Sequence, residues 1–158
     1  MESDCMKIEV PTINDYEQVN DLACQVHELH VNWRPDLFLP TKEAITKERF
    51  VSLMEEKSIF VVKIEDKIVG YVTFCIVEKE NLILRFRKQL SIDAMCVDNK
   101  YRGQGIGSSL LEFIEKYAKE ANCTDIYLTV NEENTNAIKT YEKFGMKVKN
   151  IAYSKQIK

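Results

Sequence analysis

A glycine-rich turn between an apolar run and an amphipathic segment constrains the fold of this chain more than any other feature. Three of the five glycines lie within five residues, at Gly103, Gly105 and Gly107. The run 90–97 before the turn is apolar and strand-like, and apolar side chains recur at helical spacing over 106–121 after it. The sequence therefore predicts a strand, a tight turn and a helix, in that order.

Such a turn is suited to bind a phosphate or pyrophosphate group. Glycine lets a ligand approach the backbone closely because no Cβ stands in the way. A helix that begins at the turn directs its free N–H groups and the positive end of its dipole toward the ligand. The spacing is not that of the dinucleotide fingerprint G-x-G-x-x-G, and no lysine follows Gly107 as in a Walker loop. The pattern indicates an anion site of another kind.

Two motifs narrow the choice of ligand. The first, Arg102-x-x-Gly105-x-Gly107, closely resembles the (R/Q)-x-x-G-x-(G/A) signature of the GNAT superfamily of acyl-CoA-dependent N-acyltransferases. A second block resembles the family's N-x-x-A-x-x-x-Y-x-x-x-G-(F/M) element and consists of Asn134, Ala137, Tyr141, Gly145 and Met146. The motifs stand in the family's order, each on the predicted kind of element. The chain is therefore identified by resemblance as a GNAT-like N-acetyltransferase over 90–146.

The patterns along the rest of the chain predict a single α/β (α+β) domain over residues 1–158. Strand patterns cover 7–10, 58–64, 68–78, 90–97 and 125–130, helical patterns cover 14–30, 42–56, 106–122 and 134–144, and a last extended segment covers 146–157. The order βααβββαβαβ predicts helices on both faces of a mixed sheet. The resemblance implies a GNAT-type, mostly antiparallel central sheet that is splayed between its fourth and fifth strands.

Composition and charge exclude several classes of partner. The net charge is −3, so the chain has no basic field and nucleic acid is not an expected ligand. Neither a long apolar run nor a signal-peptide pattern occurs, which predicts no membrane segment and a cytoplasmic protein. The five cysteines form no C-x-x-C pair and there are two histidines. No metal site is therefore expected, and the cysteines are predicted to be reduced thiols.

The resemblance implies acetyl-CoA as the co-substrate, bound along the strand 90–97 and across the glycine-rich turn. The pantetheine arm would pair with unpaired backbone groups of Met95, Cys96 and Val97, and one of those N–H groups would also polarise the thioester carbonyl. Asn134 would hydrogen-bond the pantetheine, cap its own helix, or do both. The pyrophosphate would lie on the turn, which comprises Arg102, Gly103, Gln104, Gly105, Ile106, Gly107 and Ser108.

Tyr141 matches the family's tyrosine whose hydroxyl faces the sulfur of the cofactor. A phenol with a pKa of about 10 can protonate the departing thiolate. The same side chain also belongs to an apolar helical stripe with Ala137, Ile138 and Phe144, which is the pattern of a core tyrosine. The resemblance favours the catalytic role.

Asp93 is the candidate general base, since an acceptor ammonium must lose a proton before it attacks. Strand alternation predicts that it shares a face with Met95 and Val97. Several amine acetyltransferases of this superfamily carry a carboxylate at that place, more commonly a glutamate. The shorter aspartate leaves three roles open, namely catalysis through a water, binding of a cationic acceptor, or a structural role.

His30 and Trp33 are further candidates for binding the acceptor. His30 is a second candidate base, although a lone histidine on an apolar helix face is more often a packed core residue. The segment 31–40 contains two prolines and is predicted to be a loop, which by resemblance shapes the acceptor pocket. The alternative is a lid over the core, with Trp33 and Phe38 buried. Cys96 has no histidine partner nearby in sequence and is not expected to carry the acyl group.

The sequence therefore predicts an acyltransferase, an N-acetyltransferase that moves the acetyl group from acetyl-CoA to a primary amine by direct attack in a ternary complex. A small-molecule acceptor is favoured over a protein. The alternatives are a catalytically inactive CoA-binding module and an enzyme that uses a longer acyl-CoA. The short C-terminus leaves a sheet edge that a second copy of the chain would cover, which predicts a homodimer.

Overall fold

Five strands and four helices make up the regular structure of the computed structural model, which describes residues 5–158. In chain order they are β1 (Met6–Glu9), α1 (Tyr16–Trp33), α2 (Lys47–Glu55), β2 (Ile59–Ile64), β3 (Lys67–Lys79), β4 (Arg87–Val97), α3 (Ile106–Glu120), β5 (Asp125–Tyr127) and α4 (Thr135–Phe144). Short 3₁₀ turns at Ile13–Asp15 and Asn99–Tyr101 lead into α1 and away from β4.

The strands form one sheet in the order β1-β2-β3-β4-β5. Neighbouring strands are antiparallel except for β4 and β5, which pair in parallel at three positions, beginning with Gln89 and Asp125. β4 continues to Val97, which pairs with Gly70 of β3 but with no described residue of β5. The mixed, mostly antiparallel sheet and the splay between its fourth and fifth strands are therefore confirmed.

Helices cover both faces of this sheet, as predicted. Leu22 of α1 and Phe50 of α2 are buried with Val61 against one face. Leu110 and Ile114 of α3 are fully buried against the other face. Each such side chain contributes about 1.5–3 kcal/mol by leaving water. Burial on both faces thus holds the sheet between the helices.

Two predicted helix boundaries are wrong. α1 continues through Trp33, so the predicted loop begins at Arg34. α2 begins at Lys47 rather than at 42, because the side chain of Thr46 caps it by accepting from the Arg49 N–H at 3.1 Å. Local capping therefore decided where the second helix begins.

The prediction of a last strand over 146–157 is also wrong. Residues 146–158 form no helix or strand, and β5 ends at Tyr127 rather than at 130. A strand exists only as a partner in a ladder, and among residues 5–158 no segment pairs with the far edge of β5. Val148 and Tyr153, which lie in this last segment, are exposed.

Candidate active site

The glycine-rich turn has the backbone conformation that favours glycine. Gly103 and Gly105 have φ angles of 77° and 81°, in the left-handed region that other residues rarely adopt. A Cβ built at either position would meet no atom within 4 Å, so the space beside the backbone is open. The turn therefore exposes its main chain to a ligand.

The helix α3 directs free amides into this open space. Its N-cap is Gly105, which has no side chain to bond the first N–H groups. The first bond within the helix runs from the Ser109 N–H to the Gly105 carbonyl at 3.0 Å. The amides of Ile106, Gly107 and Ser108 therefore have no partner in the helix, and the helix dipole adds positive potential at the same place.

Arg102 stands at the mouth of the turn. Its side chain is exposed, and its Nε donates to the Val97 carbonyl at 3.3 Å. This bond holds the guanidinium near the end of β4, and the side chain forms no ion pair with any residue in the described range. A fork of N–H donors beside free helix amides is an arrangement that fits a diphosphate.

The end of β4 offers backbone groups that have no strand partner within 5–158 on the side of the splay, although the Val97 carbonyl accepts from Arg102. The Asp98 N–H donates to the Val69 carbonyl at 2.8 Å, toward β3. Because N–H directions alternate along a strand, the backbone groups of Cys96 also face β3, whereas those of Met95 and Val97 face the splay. Two of the three predicted residues thus present their backbone to an extended ligand, and Cys96 turns its own away.

The side chain of Cys96 is also withdrawn from the site. Cys96 is 4% exposed, and its thiol donates to the Leu22 carbonyl at 3.4 Å. Burial raises the pKa of this thiol to about 12. The thiol is therefore protonated at neutral pH and is unsuited to act as a nucleophile.

Gly107 lies where β4, α3 and α4 meet. A Cβ at Gly107 would lie 3.8 Å from Thr140 of α4 and 3.9 Å from Val97 of β4. Tyr141 follows Thr140 and packs partly buried with the α3 side of the core. Burial raises the pKa of Tyr141, so the phenol stays protonated at neutral pH and can donate a proton. Core packing and an available hydroxyl therefore coexist in this residue.

Asn134 caps α4, which is one of the two roles predicted for it. Its side-chain oxygen accepts from the Ala137 N–H at 3.3 Å. At the other end of the helix, Gly145 has a φ of 99° and ends α4 in the left-handed conformation. The helix that carries Tyr141 is thus fixed at both ends by residues of the second motif, and the binding of pantetheine by Asn134 stays a prediction.

A β-bulge in β4 changes the direction of Asp93. Ala94 pairs with Thr73, and Ile92 pairs with Phe74. Asp93 is left between them as an extra residue without a partner on β3. A bulge of this kind interrupts the alternation of side chains and is frequent beside active sites.

Asp93 therefore lies on the opposite face of the sheet from Met95 and Val97, and the prediction of a shared face is wrong. Met95 and Val97 pack with the core on the α3 side. Asp93 lines a cavity on the other face, next to Ala94. Desolvation raises the pKa of the Asp93 carboxyl, an effect that the positive charge of Arg49 opposes.

This cavity has a volume of about 210 Å³ and lies between α1, α2 and the strands β3 and β4. Ala23 of α1 and Leu53 of α2 contribute apolar wall. Its polar lining residues are Arg49, Tyr71, Thr73 and Asp93. Sequence reasoning missed Arg49, because its place in the helical pattern is that of an ordinary surface residue.

Asn20, which sequence reasoning also missed, holds one wall of the cavity. It is 7% exposed, and its amide donates to the Lys42 carbonyl at 2.9 Å. Its oxygen accepts from the N–H groups of Ala44 and Ile45 at 3.0 and 3.2 Å. These hydrogen bonds take the place of the backbone bonds that a helix over 42–46 would make. Ala44 and Ile45, whose N–H groups donate to Asn20, both line the cavity.

The structure does not bring His30 and Trp33 together with Asp93. Neither residue lines the cavity. The rings of His30 and Trp33 have centroids 5.5 Å apart, and His30 lies 5.4 Å from Phe38 of the following loop. Burial and the nearby His27 lower the pKa of His30. These contacts pack the loop onto the end of α1, and an acceptor-binding role for either residue stays a prediction.

A family comparison agrees with this geometry. The model of the Acetyltransferase (GNAT) family matches residues 23–146, which include the turn, β4, the bulge and α4. The chain belongs to the GNAT family. The match begins within α1 and ends just after the glycine that closes α4.

Individual GNAT relatives resemble the chain to different extents. A solved mutant of the BH1408 protein from Bacillus halodurans is 30% identical with a TM-score of 0.90, over 96% of this chain and 99% of that one. A spermine/spermidine N(1)-acetyltransferase from Bacillus subtilis (strain 168) is 36% identical over 55 residues, which are 34% of this chain and 36% of that protein. An L-amino acid N-acetyltransferase from Escherichia coli (strain K12) is 29% identical over 86 residues, 54% of this chain and 50% of that protein. The chain thus spans a half or less of these two curated relatives.

Three further features concern the described residues of this GNAT chain. No helix within 5–158 is both long and apolar enough to cross a membrane. Over the same range, no group of three or more histidine, cysteine, aspartate or glutamate side chains is arranged to hold a metal ion. The five cysteines are free thiols.

Proposed function

We propose that this protein is an N-acetyltransferase that transfers the acetyl group of acetyl-CoA to a primary amine by direct attack in a ternary complex. The observation that carries the proposal is the end of β4. One edge of the strand presents open backbone groups that lead to the free amides of the turn. Four residues earlier along the strand, the bulge directs Asp93 into the cavity on the other face. Relatives named for spermine/spermidine and for L-amino acids support an amine as the acceptor.

The residues of the turn and of β4 would hold the cofactor. Acetyl-CoA supplies an acetyl group activated as a thioester when it is bound. The amides of 106–108 and the guanidinium of Arg102 bind the diphosphate, and the backbone of Met95 and Val97 pairs with the pantetheine arm. An N–H group of this β4 edge donates to the thioester carbonyl, and one such preorganised donor typically contributes roughly 10²–10³ in rate.

Asp93 and Tyr141 would handle the two protons of the reaction. The raised pKa of Asp93 makes its carboxylate a stronger base toward the acceptor ammonium, directly or through a water. As the new C–N bond forms and the C–S bond breaks, the Tyr141 hydroxyl gives its proton to the sulfur, and the second proton that the nitrogen loses returns to the Tyr141 oxygen. Burial raises the pKa of Tyr141, so the phenol is protonated when the C–S bond breaks.

The first experiment is thermal denaturation with and without acetyl-CoA. A ligand that binds only the folded state at a hundred times its Kd stabilises by about 2.7 kcal/mol, which raises Tm by roughly 5–10 °C for a chain of this size. Gly105→Glu places a negative charge at the helix amides and abolishes the shift. Asn122→Glu is the matched control, since Asn122 also has a positive φ, 58°, but lies at the other end of α3.

Thiol release in the presence of a panel of primary amines then tests turnover. Release that depends on an amine, and that Tyr141→Phe slows, supports the proposed function. A shift in Tm without release for any amine overturns it in favour of an inactive CoA-binding module. Absence of a shift at millimolar acetyl-CoA overturns the cofactor site as well.

We further propose that the chain acts as one N-acetyltransferase domain and forms a homodimer along β5. Within 5–158, no strand covers the outer edge of β5, and Val148, Ile151 and Tyr153 after α4 are exposed. An open edge beside an exposed apolar segment favours pairing with a second copy. Sedimentation equilibrium at micromolar protein is expected to show a dimer, and a monomer at every concentration would overturn the idea.

A further inference from the structure

The cavity between α1, α2, β3 and β4, which we call the acceptor cavity, contains one charged side chain of each sign. Arg49 enters from α2 and Asp93 enters from the bulge of β4, while Thr73 and Tyr71 are the other polar lining residues. The two charged groups form no ion pair with each other in the described chain. They are nevertheless close enough for the charge of Arg49 to lower the pKa of Asp93 against the larger effect of desolvation. The cavity is thus polarised, with a cation on its helix wall and an anion on its strand wall.

Each of these charges is available to a ligand. Arg49 has an ion pair with Glu56 at 3.9 Å, and both side chains are about half exposed. Exposed pairs at such a distance are weak and easily exchanged. The Asp93 carboxylate has the Cys75 thiol at 4.0 Å, which is a weak and distant donor. Neither charge is satisfied by its protein partner, so both can bind complementary groups of an acceptor.

The size of the cavity limits what can enter it. The volume of the cavity is about 210 Å³. This space is smaller than the roughly 300–1,000 Å³ of pockets that hold drug-sized ligands. The wall formed by Ala44 and Ile45 is pinned by the hydrogen bonds of buried Asn20, so the cavity is largely preformed.

We propose that the acceptor is a compact small molecule that carries a primary amine and, a few bonds away, a carboxylate or phosphate group. Asp93 binds the ammonium group and Arg49 binds the anionic group, which orients the amine toward the end of β4. The inference rests on the proposed function, since it names the acceptor class of the same site. A linear diamine fits less well, because its second ammonium group would face Arg49.

Matched pairs of acceptors test this class by thiol release. One pair is an α-amino acid and the amine that lacks its carboxylate, and another is an amino sugar phosphate and the free amino sugar. The wild-type protein is expected to favour the anionic member of at least one pair about tenfold or more in kcat/KM, and the favoured pair identifies carboxylate or phosphate. A linear diamine is expected to react no better than the uncharged members.

Variants of α2 then assign the preference to Arg49. Arg49→Met is expected to raise KM for the anionic acceptor roughly 10- to 100-fold, the usual effect of losing a hydrogen bond to a charged group, with kcat little changed. KM for the acceptor without the anion stays the same. Arg49→Lys restores part of the preference, and Lys47→Met is the control, because Lys47 is exposed on the same helix and does not line the cavity.

Calorimetric titration of the same acceptors into the protein saturated with CoA separates the two proposals. Turnover of amines without preference for the anion overturns this inference and leaves the proposed function intact. So does an Arg49→Met variant that affects both members of a pair equally. Selective binding of the anionic amine without turnover supports the inference and overturns the proposed function. Absence of both binding and turnover overturns the two together.

Discussion

At Gly70, a single added methyl group would disturb the site through the sheet. A Cβ built at Gly70 of β3 would lie 2.9 Å from the Cys96 backbone carbonyl oxygen of β4. Neither group can rotate away, so the two strands must move apart. Overpacking of this kind costs about 1–3 kcal/mol, which in a chain of this size lowers Tm by roughly 3–9 °C.

The same movement affects the reaction. Cys96 lies between Met95 and Val97, whose backbone groups face the splay, so displacement of its carbonyl also shifts the edge that would hold the thioester. A misplacement of about 1 Å can cost a hundredfold in rate. We therefore expect Gly70→Ala, with its smaller displacement, to lower kcat/KM about tenfold.

Gly107→Ala is the matched control, since it adds the same methyl group where there is room. Its nearest neighbours would be Thr140 and Val97 at 3.8 and 3.9 Å, which are ordinary contacts. Alanine within a helix is favoured over glycine by about 0.5–1 kcal/mol, so Tm is expected to rise slightly and the acetyl-CoA shift to persist. Calorimetry and thiol release measure both variants. Equal Tm values for the two, or a destabilised Gly70→Ala with unchanged kcat/KM, would refute the reasoning.

Three further substitutions test the chemistry and the cavity. Tyr141→Phe is expected to lower kcat roughly 100-fold through loss of the general acid while the acetyl-CoA shift in Tm remains; an unchanged kcat would remove Tyr141 from the reaction. Asp93→Asn is expected to lower kcat/KM and to abolish the acidic limb of its pH profile. Since the folded state raises the pKa of Asp93, the wild-type protein loses stability relative to this variant as the pH rises through that pKa; Tm values of the two measured across pH check the sign, and the opposite trend contradicts it. Asn20→Ala leaves three backbone groups of 42–45 without partners, which costs about 2–3 kcal/mol and raises KM for the acceptor; Asn32→Ala, on an exposed part of α1, should change neither Tm nor KM.

Much of the fold was predictable because its determinants are local. The positive φ angles of Gly103 and Gly105 belong to a tight turn that precedes a helix. Asn134 and Gly145 mark the two ends of α4, since each satisfies backbone groups that a helix end leaves free. Each of these features depends on residues that lie a few positions apart, so the spacing of the motifs predicts it.

The direction of Asp93 could not be predicted from the sequence. Regular alternation along β4 would put the side chains of Asp93 and Met95 on the same face of the sheet. The bulge that puts them on opposite faces depends on how β4 pairs with β3. Pairing register is a property of two strands, and no residue type in β4 marks the bulge. Arg49 was missed as a residue of this cavity for a similar reason. It lies 44 positions before Asp93 in the chain and approaches it only across the folded cavity.

The C-terminal segment is a case in which the sequence pattern predicted a strand that the fold does not form. Its apolar and polar residues suggested a strand, yet residues 146–158 form none, because a strand needs a partner and none in the described range is offered.

The sequence by itself determined the order of elements, the glycine turn with its free amides, and the capped helix that carries Tyr141. Only the tertiary structure decided which face Asp93 occupies and which residues line the acceptor cavity. The physical reason is the range of the interactions. Backbone conformation and capping act within one or two turns of chain, whereas strand register, burial and the meeting of opposite charges require segments that are distant in sequence to be packed together.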